Sequence, residues 1–252
     1  MSLFQQLALL VAFIGSCPSL IAAPAHPGSK GPVQEKTVSY QSAGRRIIVE
    51  SFLPATTQPV PAVLVLYGSG GVVFGKKDIT ALARQLAEKG YAAYLVHYLN
   101  RTGSIVEWGD SGILKHWPEW TETVRDGVDF VCTQPGVNRH RIGLFGYSLG
   151  AFLAIAESTD DPRIGAVAEL SGGLFEKEKG HTRRFPPMLI MHGTADERVP
   201  EARVPELRAE ARRFGKAPEV KIYQGEAHQL SPAAYADATT RTLAFFDRHL
   251  RH

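Results

Sequence analysis

Two hydrophobic patterns alternate along the chain. Lys36–Gln41 and Arg45–Leu53 alternate apolar with polar positions around Ala43-Gly44. That period of two predicts an antiparallel hairpin. Beyond it, Ala62–Tyr67 (AVLVLY) is a continuous apolar run between Pro61 and Gly68, as in a strand buried on both faces. Asp78–Lys89 then places Ile79, Leu82, Ala83 and Leu86 on one helical face and stops at Gly90. The same reading predicts strands over Tyr91–Tyr98, Arg141–Tyr147, Ile164–Leu170, Pro187–His192 and Glu219–Tyr223, and helices over Pro118–Gln134, Leu149–Ser158, Glu201–Phe214 and Pro232–Leu250. Strand–helix alternation implies right-handed crossovers, so a single α/β domain is expected, with a mostly parallel sheet of about eight strands and helices on both faces.

Composition changes little. The 28 Lys+Arg against 25 Asp+Glu leave +3, with no basic run, so nucleic acid is not an expected partner. Cys17 and Cys132 alone make neither a disulfide framework nor a zinc site, and no metal or cofactor is expected. The front end is more informative. Residues 1–25 carry no charged side chain, and the apolar run Leu7–Gly15 leads to small residues ending Ala23-Pro24-Ala25. That is the form of a secretory signal peptide cleaved after Ala25, followed by a domain over 26–252. Ile14-Gly15-Ser16-Cys17 also has the form of a lipoprotein box, in which Cys17 would be acylated. Export to the periplasm or medium is expected in either case, with membrane association only if Cys17 is lipidated. Cys132, flanked by apolar residues, reads as inert core.

In parallel sheets, chemistry gathers at the carboxyl ends of the strands. After Ile142–Phe145 stands Gly146-Tyr147-Ser148-Leu149-Gly150, followed by helical AFLAIAE. A G-x-S-x-G between strand and helix is a nucleophile elbow: its sharp turn exposes Ser148 and aims the Leu149 N–H and the helix N-terminus at the same point. A serine needs a base, and the base an orienting carboxylate, in the chain order Ser, acid, His. Asp196 lies in the loop after the Pro187–His192 strand, and His228 in the loop after the last strand. Glu197 is the neighbouring rival acid, and Asp160 and Asp161 lie at the opposite edge. His192, ending a strand beside Asp196, reads as a structural hydrogen-bonding residue. The second oxyanion donor is expected from Tyr67-Gly68-Ser69-Gly70-Gly71, at the Ser69 or Gly70 amide.

YGSGG, GYSLG, HGTADERVP and GEAHQL, in this order, resemble the α/β-hydrolase superfamily and within it the dienelactone hydrolase family. LARQLAEKGYAAYLVHYLNRTG is similar to that family's segment leading toward the active site, and the likeness spans most of residues 45–250. It implies a compact hydrolase with a minimal cap, acting on small-molecule esters or lactones without metal or cofactor. This chain departs from the pattern in having Ser148 where dienelactone-opening enzymes use Cys, and in lacking a Glu in YGSGG. Arg101 stands where the family can place an arginine for a substrate carboxylate, but the second, just after the catalytic His, is missing from His228-Gln229-Leu230-Ser231-Pro232.

Arg101 therefore has three open roles: substrate contact, ion-pair partner, or solvated loop residue. Asn100–Trp117 is expected to be a long loop on the cleft side, with Trp108 lining an acyl pocket. Tyr147, inside the elbow motif, is a further substrate contact. Glu169 is unexpected near the end of an apolar strand; it borders the site or is a hydrogen-bonded buried carboxylate. The expected activity is ester or lactone hydrolysis through an acyl-enzyme. Acyl transfer or peptide cleavage on the same residues, and a non-catalytic binding protein on the same fold, are the competing readings.

Overall fold

The computed structural model describes residues 31–251, so the signal-peptide reading and Cys17 lie outside the described residues. Eight strands form one sheet: β1 (Gln34–Ser42), β2 (Arg45–Leu53), β3 (Val60–Leu66), β4 (Ala92–Val96), β5 (Val137–Tyr147), β6 (Ile164–Leu170), β7 (Met188–Gly193) and β8 (Glu219–Tyr223). Their spatial order is β1-β2-β4-β3-β5-β6-β7-β8. The β1–β2 hairpin and the β2–β4 pair are antiparallel, and every pair from β4 to β8 is parallel. The register follows the pattern of the sequence. Only the second half of β1 and the middle of β2 alternate in burial, and both strands begin exposed, whereas Ala62–Leu66 of β3 is fully buried.

Five α-helices cover the sheet: α1 (Lys76–Glu88), α2 (Asp110–Cys132), α3 (Leu149–Asp160), α4 (Arg203–Arg213) and α5 (Pro232–Leu250). On one face α2 and α3 pack together. On the other, α5 sets Phe246 and Leu250 over Gly143 of β5, where a Cβ would come within 2.7 Å of Leu250. The Tyr91 hydroxyl donates to Asp247 at 2.7 Å and fixes the turn after α1 to α5. No helix among the described residues is long and apolar enough to cross a membrane.

One expectation is corrected. Asn100–Trp117 is not a long loop: Tyr98–Thr102 is a 3-10 turn, and α2 begins at Asp110. Pro118 lies inside α2 instead of starting it. A proline there removes one helical hydrogen bond, to the carbonyl of Leu114, a half-exposed residue. The stripe Ile113, Trp117, Trp120, Val124, Val128 and Val131 outweighs that loss, because Trp120, Val124, Val128 and Val131 are fully buried and Trp117 nearly so. Trp117 also donates to Glu178 at 2.9 Å and meets the edge of Phe175. The connecting loop shrinks to 103–109 and still carries Trp108.

Candidate active site

Ser148 stands between β5 and α3 with φ 53° and ψ −123°, a conformation costly for a residue with a Cβ. The flanking glycines make the turn possible. A Cβ on Gly146 would lie 2.3 Å from the Gly150 carbonyl oxygen, and one on Gly150 would lie 2.4 Å from the carbonyl oxygens of Leu66 and Tyr67. The Ser148 amide donates to the Leu170 carbonyl at 2.9 Å, tying the elbow to the end of β6.

The structure brings Ser148, His228 and Asp196 together from three strand ends. His228 Nε2 lies 2.9 Å from Ser148 Oγ, and its Nδ1 lies 2.8 Å from Asp196 Oδ2. Burial pushes the Asp196 carboxyl up, but hydrogen bonds from His228 and from the Val199 and Arg198 amides reverse this and hold it below its ordinary value. An ionised Asp196 only accepts, so Nδ1 carries the proton and Nε2 is left to accept from the Ser148 hydroxyl. The amides of Arg198 and Val199 donate to Asp196 Oδ1 at 2.9 and 2.8 Å, leaving Oδ2 for His228.

The loops that carry Asp196 and His228 are fastened to each other. Ala195 N–H donates to the Glu226 carbonyl at 2.9 Å, and Thr194 N–H to the Tyr223 carbonyl at 3.0 Å. Their backbones meet so closely at Gly193 that a Cβ there would lie 2.3 Å from the Glu226 oxygen. Glu226 folds the far side of the loop by accepting from the amide and hydroxyl of Ser231, the residue that caps α5. Tyr147 donates its hydroxyl to the His228 carbonyl at 3.2 Å, with the two rings 5.3 Å apart. Burial, with the nearby Asp196 charge, pushes the Tyr147 phenol up to about 12, so it remains a neutral donor.

Facing Ser148 is the loop after β3. A Cβ on Gly68 would touch the Ser148 Cβ at 3.0 Å, so this backbone lies directly against the elbow. The carbonyls of Gly68, Ser69 and Gly70 accept from the amides of Gly71, Glu107 and Phe74, at 3.0, 2.8 and 3.3 Å. Among the described residues, the Ser69 and Gly70 amides donate to no protein acceptor, and both residues border the cavity beside Ser148. Leu149 is the first residue of α3, where a helix leaves its N–H groups without an intrahelical acceptor.

The other candidates separate. Trp108 is half exposed at the rim, edge-to-face with Phe74 at 5.4 Å and beneath the Arg198 guanidinium at 5.5 Å. Arg101 is not brought to the cleft. The 3-10 turn carries it toward α2, where it pairs with Glu122 at 2.9 Å, and it lines neither cavity beside Ser148. Glu197 is exposed, Asp161 pairs with Arg163, and Asp160 pairs with Arg183. His192 is fully buried and donates Nε2–H to the Val199 carbonyl at 2.8 Å, bracing the turn that holds Asp196. Arg198, Phe152 and Phe175 also border the cleft; Arg198 lies within HGTADERVP, but the two phenylalanines belong to no such motif. The one available signal was spacing: Phe152 follows Ser148 by four residues, one helical turn along α3. No cluster able to hold a metal occurs among the described residues.

Glu169 lies beneath the elbow, paired in register with Gly146, and accepts from the Gly172 amide at 2.8 Å. Complete burial, only partly offset by the Gly172 and Met191 amides, pushes its carboxyl up to about 8. In the unfolded chain the same group ionises near its ordinary value of 4.5. Its folded value is raised, so the stability it contributes is full below that ordinary value and is lost as pH rises through about 8. Glu169→Gln does not titrate. The melting temperature of this variant relative to wild type is therefore expected to rise between pH 5 and pH 9, by roughly 5 °C or more. A difference that does not change with pH would overturn this.

The profile of the dienelactone hydrolase family matches residues 49–250. No curated protein matches the sequence significantly. Among solved structures, the dienelactone hydrolase-like promiscuous phosphotriesterase from metagenomic libraries superposes with a TM-score of 0.74 at 19% identity, covering 87% of this chain and 99% of that one. A dienelactone hydrolase from Anabaena variabilis gives 0.69 at 18% identity, over 88% of this chain and 100% of its own. The acylaminoacyl peptidase of Pyrococcus horikoshii gives 0.70 at 17% identity over 88% of this chain, which corresponds to 43% of that longer protein. These likenesses establish the α/β-hydrolase fold, and the profile match establishes descent: the chain belongs to the dienelactone hydrolase family.

Proposed function

We propose that this hydrolase cleaves carboxylic esters or lactones with Ser148 as nucleophile, His228 as general base and acid, and Asp196 as the carboxylate that orients His228. The observation that carries the reading is the unbroken hydrogen-bonded line from Ser148 Oγ through both nitrogens of His228 to Asp196. As Oγ attacks the substrate carbonyl, Nε2 takes its proton, and Asp196 stabilises the resulting imidazolium without accepting the proton itself. The tetrahedral oxyanion then lies between the Leu149 amide and that of Ser69 or Gly70. His228 passes its proton to the departing alkoxide, and water repeats the sequence to release the acid. No step calls for a metal or cofactor.

A fluorophosphonate probe reports directly on such a serine. One covalent adduct per chain is expected, located at Ser148 by mass spectrometry of the peptides. An unlabelled wild-type protein, or a label on another residue, overturns the reading. Product analysis with a competing alcohol or amine separates hydrolysis from acyl transfer. Export also belongs to this proposal and rests on the uncharged apolar residues 1–25. A mature chain beginning near His26 supports it.

A further inference from the structure

Ser148 is the meeting point of two cavities of different size and lining. One, about 260 Å³, is bordered by His228 and by Tyr67, Phe74, Tyr147 and Tyr235. The other, about 750 Å³, runs along α3 toward the first turns of α2, over Leu149, Phe152, Phe175, Ile113 and Leu114. Ser69, Trp108 and Arg198 border both, so the Arg198 guanidinium over the Trp108 ring marks the divide.

Which half of an ester enters which cavity follows from proton transfer. The alkoxide must leave within reach of His228 Nε2, and His228 borders only the smaller cavity. Ser148 borders both cavities, so an alcohol held in the smaller one leaves the larger to the acyl chain. We infer that the site is built for esters joining a long apolar acyl chain to a compact alcohol, with the chain lying in the groove between α3 and the start of α2. This rests on the assignment of Ser148 and His228 made above.

The groove has the character the inference requires. Phe152 and Phe175 stack at 4.8 Å to form its floor. Charged residues line it too: Arg203 pairs with Glu176 at 3.5 Å, Lys177 and Arg198 lie over the rings of Trp117 and Trp108, and Asp110 stands at the start of α2. Leu114 and Trp108, at its lip, are 53% and 50% exposed. Exposed side chains of this size gain when an apolar chain covers them. The reaction balances with water alone: Oγ forms an ester bond to the acyl carbon as the carbon–alkoxide bond breaks, and the Oγ proton leaves with the alcohol. Water then splits the acyl-enzyme, returning a proton to Oγ and releasing the carboxylic acid.

The test uses p-nitrophenyl esters from acetyl to decanoyl, and in parallel acetate esters of progressively larger alcohols. At fixed p-nitrophenol, kcat/KM is expected to rise roughly two- to fourfold per added methylene until the groove is filled. In the second series it is expected to fall once the alcohol exceeds a single ring. Leu114→Asp lies on the surface, so it is a mild change for the fold. It should lower the octanoyl-to-acetyl ratio of kcat/KM by about tenfold or more. If the acetyl ester is turned over but the acyl series is flat or falling, or if the rise follows alcohol size, this inference is overturned and the Ser148 mechanism stands. Absence of turnover on every ester, together with absence of probe labelling, overturns both.

Discussion

Ser148→Ala is expected to lower kcat/KM for an activated acetyl ester by about 10⁴- to 10⁶-fold, the loss typical when a nucleophile acting as one unit with its base is removed. The fold should be preserved. Alanine keeps the amide that donates to Leu170, and it occupies the same strained dihedrals with no more bulk than serine. The melting temperature should therefore stay within about 2 °C of wild type, since only the hydrogen bond to His228 is lost. Steady-state kinetics and a thermal melt on the same preparation separate a chemical defect from a folding one. A folded variant retaining about a tenth of the activity would remove Ser148 from the mechanism.

The largest effect on stability is expected at Gly150. A Cβ there meets two main-chain oxygens, those of Leu66 and Tyr67, both at 2.4 Å. These belong to β3 and the residue after it, at the centre of the sheet, and cannot move aside as a flexible side chain could. Gly150→Val should cost about 3–5 kcal/mol, which for a domain of this size is roughly a 10 °C fall in melting temperature, with much of the protein insoluble. Gly109→Ala is the matched control: its φ is −99°, and its Cβ would meet nothing closer than 3.8 Å. A Gly150→Val protein that melts like wild type would mean that β3 and α3 are not pressed together at the elbow.

The central strands and the meeting of Ser148, Asp196 and His228 were legible because each depends on a local pattern. A doubly buried strand must be apolar throughout, and a parallel sheet collects the residues after its strands at one end. What the chain hid depends on competition between distant parts. Pro118 reads locally as a helix start, yet Trp117 and Trp120 gain enough by burial to carry the helix through it. Arg101 is placed by Glu122, twenty-one positions away, and nothing in the residues around it announces that pairing. The cavity walls come from the most scattered sources. Phe152 lies on α3, Phe175 in the segment after β6 and Arg198 in the loop after β7, and only the order of the strands in the sheet makes them neighbours.

The fastening of the Asp196 loop to the His228 loop has a consequence for heat. Ser148 and its hydrogen-bonded partners are held by different parts of the sheet. Ser148 projects from its centre, whereas Asp196 and His228 hang together on β7 and β8, the latter a five-residue terminal strand that is largely exposed along its first half. Such edges open at lower free energy than cores. If β8 loosens, Asp196 and His228 withdraw as a pair while the elbow keeps its strained shape. Loss of activity on heating is therefore expected to begin at this outermost strand, before the core melts.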